Sequence, residues 1–148
     1  MIRIILLTIA MAACAASAQS QILTGRWEGS FRMGTATDIP ISIEFILNTD
    51  STYSIYTYTT FNTPGIASRE YIVEADYDLA GNDSIYITEK AVVSGHGFTN
   101  PCFQYMRLRF RMTKKIMLLE GEWEAIGRNC FGDGIIRLSK KRNNPVQK

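Results

Sequence analysis

Cysteine and histidine are the residues of this chain best suited to nucleophilic chemistry. The 148 residues include three cysteines and one histidine, and Cys102 follows His96 by six positions. An imidazole activates a thiol when the fold brings the two together. Cys102 and Cys130 are, however, an even pair downstream of the first twenty residues, and such pairs are normally oxidised outside the cytoplasm. We therefore predict a Cys102–Cys130 disulfide and no thiol nucleophile.

Carboxylates offer a second possible chemistry. Glu74, Asp76 and Asp78 alternate along one predicted strand, a spacing that would suit calcium binding or an acid and base pair. A solvated outer strand face explains the same spacing with fewer assumptions. A metal site normally needs three or four ligands, and the sequence has no cluster of histidines and cysteines; we expect His96 in an exposed loop. We predict no catalytic residue, no metal and no cofactor, and hence a protein that is not an enzyme.

Aromatic side chains are the best candidates for binding a ligand. Trp27 and Trp123 are the largest apolar side chains, and each suits either the wall of a pocket or the filling of a core. Tyr56 and Tyr58 share a strand face that excludes Tyr53; there they would either stack on a flat ligand or simply reflect the strand propensity of tyrosine. The predicted ligand-binding residues are Trp27, Phe45, Tyr56, Tyr58, Phe110 and Trp123.

The N-terminal segment 1–18 predicts export. Arg3 precedes an apolar run over 4–13, and Ala16–Ser17–Ala18 has the small residues that a signal peptidase accepts. The run is shorter than the roughly 20 residues that a transmembrane helix needs. We therefore expect a secreted or periplasmic protein without a transmembrane span. An alternative is lipoprotein processing, which would leave a lipid anchor on Cys14.

Composition and charge set the broad class. With 46% hydrophobic residues the chain has enough apolar material for one folded domain, which we place at 19–142, with a flexible tail at 143–148. The net charge of +2 gives no reason to expect nucleic acid as a partner.

The elements that must position these side chains are strands. Apolar residues alternate with polar ones in short runs that Gly, Asn, Asp and Pro interrupt, which is typical of half-buried strands. Short connections favour an all-β fold, an eight-stranded antiparallel up-and-down barrel, with an open two-layer sandwich as the alternative. The eight predicted strands are Leu23–Arg32, Ile39–Asn48, Thr52–Phe61, Glu70–Leu79, Ser84–Val93, Cys102–Thr113, Ile116–Ala125 and Gly134–Lys140.

The sixth and seventh strands allow a prediction of register. If Thr113 pairs with Ile116, then Arg109 faces Glu120 and Arg107 faces Glu122 on one side of the hairpin. The other side then carries the apolar pairs, and charged and apolar faces separate from one choice of register. The predicted apolar pairs are Met112 with Met117, Phe110 with Leu119, and Met106 with Trp123.

The segment Leu23-Thr24-Gly25-Arg26-Trp27-Glu28-Gly29 resembles the first strand of lipocalin-like barrels, in which a Gly-x-Trp motif recurs. Avidin-type barrels open similarly, and small secreted bacterial inhibitors of proteases or lysozyme also use eight-stranded barrels with one disulfide. The resemblance implies that Trp27 closes one end of the barrel beneath a basic residue of the last strand, either Arg137 or Lys140. Shared architecture does not transfer activity.

Two functions follow as expectations. The first is binding of a small apolar or amphipathic molecule in an open cavity lined by Trp27, Phe45, Phe110 and Trp123, with Gly121 leaving space. The second is an envelope-associated protein-interaction module, inhibitor-like, with a filled core. Its recognition would rest on the loops at 61–69 and 93–101 or on a tyrosine face.

Overall fold

Eight antiparallel strands form a closed barrel in sequence order, with the last strand paired to the first. The computed structural model describes residues 22–34, 38–61, 69–81, 83–95 and 102–141. The predicted segments at 1–18 and 143–148, with Cys14 and His96, lie outside these residues, as do 62–68 and 96–101 of the two predicted recognition loops. The strands are β1 (Gly25–Met33), β2 (Ile39–Leu47), β3 (Tyr53–Phe61), β4 (Arg69–Ala80), β5 (Ser84–Ser94), β6 (Phe103–Met112), β7 (Ile116–Ile126) and β8 (Asp133–Lys141).

The predicted all-β class, the eight strands and the barrel are confirmed. The alternative, an open two-layer sandwich, is not observed, because β1 and β8 pair directly and close the sheet. Closure also removes the exposed sheet edges that strands otherwise leave unpaired. Several strand boundaries differ from the predicted ones by one residue, and the start of β1 differs by two, because Leu23 lies in a helical turn before the strand. No helix among the described residues is long and apolar enough to cross a membrane.

The alternating apolar residues meet inside the barrel. On β2, for example, Ile41, Ile43 and Phe45 are buried, and Glu44 between them is only partly buried. Inward residues of all eight strands join one buried cluster, which supplies the hydrophobic stabilisation of the fold.

The two ends of the barrel differ in their connections. At one end, which we call the Trp27 end, β1 begins, β8 finishes, and short turns join β2 to β3, β4 to β5 and β6 to β7. The opposite end carries longer connections, including 62–68 and 95–102. Cys102 and Cys130 lie at this second end, which we call the disulfide end.

The Cys102–Cys130 disulfide is confirmed, with the two Cα atoms 5.6 Å apart. It joins the start of β6 to the connection between β7 and β8. The predicted β6–β7 register is also confirmed for every pair named above. The ion pairs differ from these ladder pairs, however: Arg107 contacts Glu124 diagonally at 3.1 Å, and Glu120 contacts Arg137, its directly opposite partner on β8, at 2.5 Å.

At three inward positions a glycine allows the backbone of a neighbouring strand to approach closely. A Cβ on Gly121 would lie 1.8 Å from the carbonyl oxygen of Arg107, and Gly29 and Gly134 have equivalent clashes with neighbouring backbone. Such glycines mark sharp bends of a barrel strand. The expectation that Gly121 leaves space for a ligand is therefore wrong, because backbone of β6 occupies that space.

Candidate functional site

Trp27 is fully buried at the Trp27 end, among other aromatic rings. Its Nε1 donates a hydrogen bond to the carbonyl oxygen of Leu23 at 2.8 Å. Phe110 makes an edge contact with its ring, with centroids 6.1 Å apart, and Phe45 makes a similar contact with Tyr53 at 5.8 Å. Side chains therefore fill this end of the barrel, and the rings that were predicted to line a cavity contact one another or their neighbours.

Lys140 caps the same end. Its ammonium lies 4.9 Å from the centroid of the Trp27 ring, which is a cation–π contact. The Nζ also donates hydrogen bonds to the carbonyl oxygens of Ile22, at 2.9 Å, and Thr24. Partial burial lowers the pKa of Lys140. Of the two basic residues that the resemblance offered, Lys140 therefore makes this contact, and Arg137 faces outward to Glu120.

Trp123 lies toward the disulfide end. Its ring packs edge-on against Phe31, with centroids 4.8 Å apart, and its Nε1 donates to the carbonyl oxygen of Arg32 at 3.1 Å. Three of the predicted residues, Trp27, Phe45 and Phe110, thus lie near the first end and Trp123 near the second. The structure does not bring them together around one space.

Tyr56 and Tyr58 lie on the outer face of β3, so they do not join the interior residues predicted with them. The Tyr58 hydroxyl donates to Glu44 Oε2 at 2.7 Å, and the Arg26 guanidinium lies 4.5 Å from its ring centroid. The hydrogen bond to Glu44 raises the pKa of Tyr58. These contacts hold the ring against the barrel wall.

The acidic row on β4 also faces outward. Lys90 of β5 contacts Asp76 at 2.6 Å and Glu74 at 3.4 Å, and Asp78 is exposed. Over the described part of the chain, no group of three or more histidine, cysteine or acidic side chains is placed to hold a metal ion. The row is therefore an exposed strand face with an ion pair.

The sequence reasoning missed a buried carboxylate inside the barrel. Glu89 of β5 is only 4% exposed, and its oxygens accept hydrogen bonds from the Thr57 hydroxyl and, at 2.8 Å, from the Gln104 backbone N–H. Thr59 is buried in the same barrel interior. The alternation Ile85, Ile87, Glu89 would have predicted this inward position, because all three share one strand face.

Two acceptor groups in this part of the interior are unusual: the Glu89 carboxylate, for its raised pKa, and the Gln104 side-chain oxygen, for its missing hydrogen bond within the described part of the chain. Burial raises the pKa of Glu89 to about 7, against the opposing effect of its two hydrogen bonds. The side-chain oxygen of Gln104, itself buried, has no hydrogen-bond partner among the described residues. Burying a carboxylate and an unpaired amide oxygen costs stability, which is a reason to look for function at such a place.

Two grooves open on the outer surface at the disulfide end. The first has a volume of about 340 Å³ and lies over β6, β7 and β8; the second, of about 540 Å³, lies over β8 and β1. Both are lined by Asp133, Gly134 and Ile135, so they meet at the first three residues of β8. Ile135 points outward and is 65% exposed. We call this surface the groove face.

Charged side chains border the groove face. Arg107 pairs with Glu124 beside the first groove, and Arg32 pairs with Asp38 at 2.7 Å beside the second. Glu122 and Asp133 also line the grooves. Neither of these two carboxylates takes part in an ion pair with any described residue.

The fold and these sites define the class as a closed, eight-stranded antiparallel barrel stapled by one disulfide. No protein-family model matches the chain, and neither a curated protein nor a solved structure shows significant similarity to it. The lipocalin-like resemblance at Gly25–Trp27 therefore stays a prediction.

Proposed function

We propose that this protein is a non-catalytic, exported binding protein that recognises a protein partner through the groove face. Its disulfide suits an oxidising compartment. The observation that carries the proposal is Ile135, an isoleucine left 65% exposed where two grooves meet. An apolar anchor surrounded by charged groups is the usual anatomy of a protein-binding surface.

The charges of the groove face indicate the partner's chemistry. Arg107 and Arg32 are already paired with carboxylates of this chain, whereas Glu122 and Asp133 are outside the described ion pairs. A partner that brings an apolar side chain to Ile135 and basic side chains to these two carboxylates would be complementary. Such charges chiefly raise the association rate and the specificity.

Packing favours this function over binding of a small apolar molecule at the aromatic residues. That function required one open space lined by Trp27, Phe45, Phe110 and Trp123. Instead, the rings pack at two separate places against other side chains. The filled-core alternative from the sequence agrees better with this packing.

Site-specific photo-crosslinking tests the proposal. A photoreactive residue at position 135 would be compared with the same residue at Ile46, which is 44% exposed on the outer face of β2. Both proteins would be expressed in the native host, and the adducts identified by mass spectrometry. We expect one protein adduct from position 135 that is missing from position 46.

The variant Ile135→Asp provides the second arm, with Ile46→Asp as its matched control. We expect Ile135→Asp to weaken binding of the crosslinked partner at least tenfold and Ile46→Asp to leave it unchanged. Both variants should unfold at the same midpoint denaturant concentration as the wild type. Equal adducts from both positions, or equal affinities of both variants, would overturn the proposal. Native mass spectra showing a retained small molecule instead of a protein would favour the ligand-binding function.

A further inference from the structure

We propose that the interior of the barrel near the disulfide end holds a second binding site, in which Glu89 and Gln104 bind a small primary ammonium ion. This site is separate from the groove face, because Glu89 and Gln104 point into the barrel and the grooves open on its outside. It needs no protein partner at Ile135.

Converging acceptors are the first argument. The Glu89 carboxylate accepts from two neutral donors, the Thr57 hydroxyl and the Gln104 backbone N–H, and none of the described side chains brings a positive charge to it. The side-chain oxygen of Gln104 accepts from none of the described residues, although the residue is 92% buried. Thr88 pairs with Tyr105 in the antiparallel β5–β6 ladder. Glu89 comes after Thr88 and Gln104 comes before Tyr105, so Gln104 and Glu89 are neighbours across the two strands. A ligand with several N–H donors and a positive charge would satisfy both groups.

The groups around Glu89 come from three strands. β3 contributes Thr57, β4 contributes Ala75, which is paired with Glu89 in the ladder, and β6 contributes Gln104. Where the side chains of β3 and β4 are described, which excludes those of residues 61, 69 and 70, the titratable ones that face inward are Tyr53, Tyr71 and Tyr77. Lys140, the partly buried cation, lies at the other end of the barrel. None of the side chains that the structure describes is therefore an internal counterion for ionised Glu89.

A primary ammonium fits this set better than a metal ion. One carboxylate balances one positive charge, and three ammonium N–H groups match the carboxylate, the Gln104 amide oxygen and a threonine hydroxyl. Divalent calcium generally takes six to eight oxygen ligands, often from several carboxylates. Apolar neighbours such as Ile87 and Met106 would contact a short alkyl group on the ammonium.

Access is expected from the disulfide end. Gln104 is the second residue of β6, so the site lies near the end with the longer connections. The Trp27 end is filled by aromatic rings and capped by Lys140.

Calorimetric titration with n-butylammonium tests the proposal. The probe would be compared with n-butanol, which has the same alkyl chain without the charge, and with calcium chloride. We expect saturable binding of n-butylammonium alone. Glu89→Gln should weaken it at least tenfold and Gln104→Met severalfold, whereas Asp78→Asn, which removes an exposed carboxylate, should not change it.

Measurements on the wild type keep the test decisive if a variant does not fold. Binding requires ionised Glu89, whose pKa is about 7, so the affinity at pH 5 should be about a hundredfold lower than at pH 8. The amine should also shift the carboxyl resonance of Glu89 and lower its titration midpoint. Absence of n-butylammonium binding, equal binding of n-butanol, preference for calcium or an affinity independent of pH would each overturn the proposal.

Discussion

Replacement of Glu89 by glutamine should make the protein more stable at high pH. The folded state holds this carboxyl with a pKa of about 7, against 4.5 for the exposed group. Between these values the folded state binds more protons than the unfolded state, so stability falls as pH rises from about 4.5 to about 7. The loss amounts to about 3 kcal/mol once Glu89 is fully ionised.

Glutamine is a close mimic of the neutral acid at this position. Its oxygen can accept from the Gln104 N–H, and its amide group can donate to the Thr57 hydroxyl oxygen, as a protonated carboxyl would. We therefore expect Glu89→Gln and wild type to have similar stability near pH 4. Near pH 8 the variant should be more stable by up to about 3 kcal/mol.

The assay is urea unfolding at a series of pH values between 4 and 8, with the disulfide intact. Every other titratable group is common to both proteins, so the difference between the two curves isolates Glu89. Asp78→Asn is the matched control for loss of an exposed carboxylate. Parallel curves for wild type and Glu89→Gln across this range, or a Glu89 carboxyl resonance that titrates near 4.5, would refute the reasoning.

Three further substitutions test the fold. Trp27→Ala should cost about 3–5 kcal/mol in urea unfolding because the ring is fully buried, and a loss below about 1 kcal/mol would contradict its role in closing the barrel. Replacing Cys102 and Cys130 by serine should cost about 3–4 kcal/mol with an unchanged circular dichroism spectrum; two reactive thiols in wild-type protein prepared under oxidising conditions would argue against the bond. Gly121→Ala should destabilise by at least about 2 kcal/mol, and more than Gly81→Ala, where a Cβ meets nothing within 4 Å and the cost is only the backbone strain of alanine at a φ of +70°. Equal melting temperatures for the two glycine variants would contradict that difference.

Local alternation explains why so much of the fold was predictable. Ile41, Ile43 and Phe45 share a face on β2, and the opposed charges of β6 and β7 allow one register that also pairs their apolar residues. The same rule would have distinguished Lys140 from Arg137. Ile136 and Leu138 face inward, so Lys140 shares their side of β8 and Arg137 does not.

The candidate sites were harder to predict because they depend on strands that are distant in sequence. Glu89 has an inward parity, but a carboxylate on a strand is normally assigned to the solvent side, and its donor Thr57 is 32 residues away. The separation of Trp27 from Trp123 depends on the relative stagger of β1 and β7, which do not pair. The second groove beside Ile135 likewise requires β8 to pair with β1, and that closure joins the first and last strands of the domain.

That closure also fixes how the protein would be displayed on a surface. The start of β1 and the finish of β8 lie together at the Trp27 end, where the Lys140 ammonium holds the backbone of Ile22. A resin or a fused domain joined to the chain just before β1 or just after β8 would therefore be attached at this end. The groove face, at the other end, would point away from the support and toward the surrounding medium.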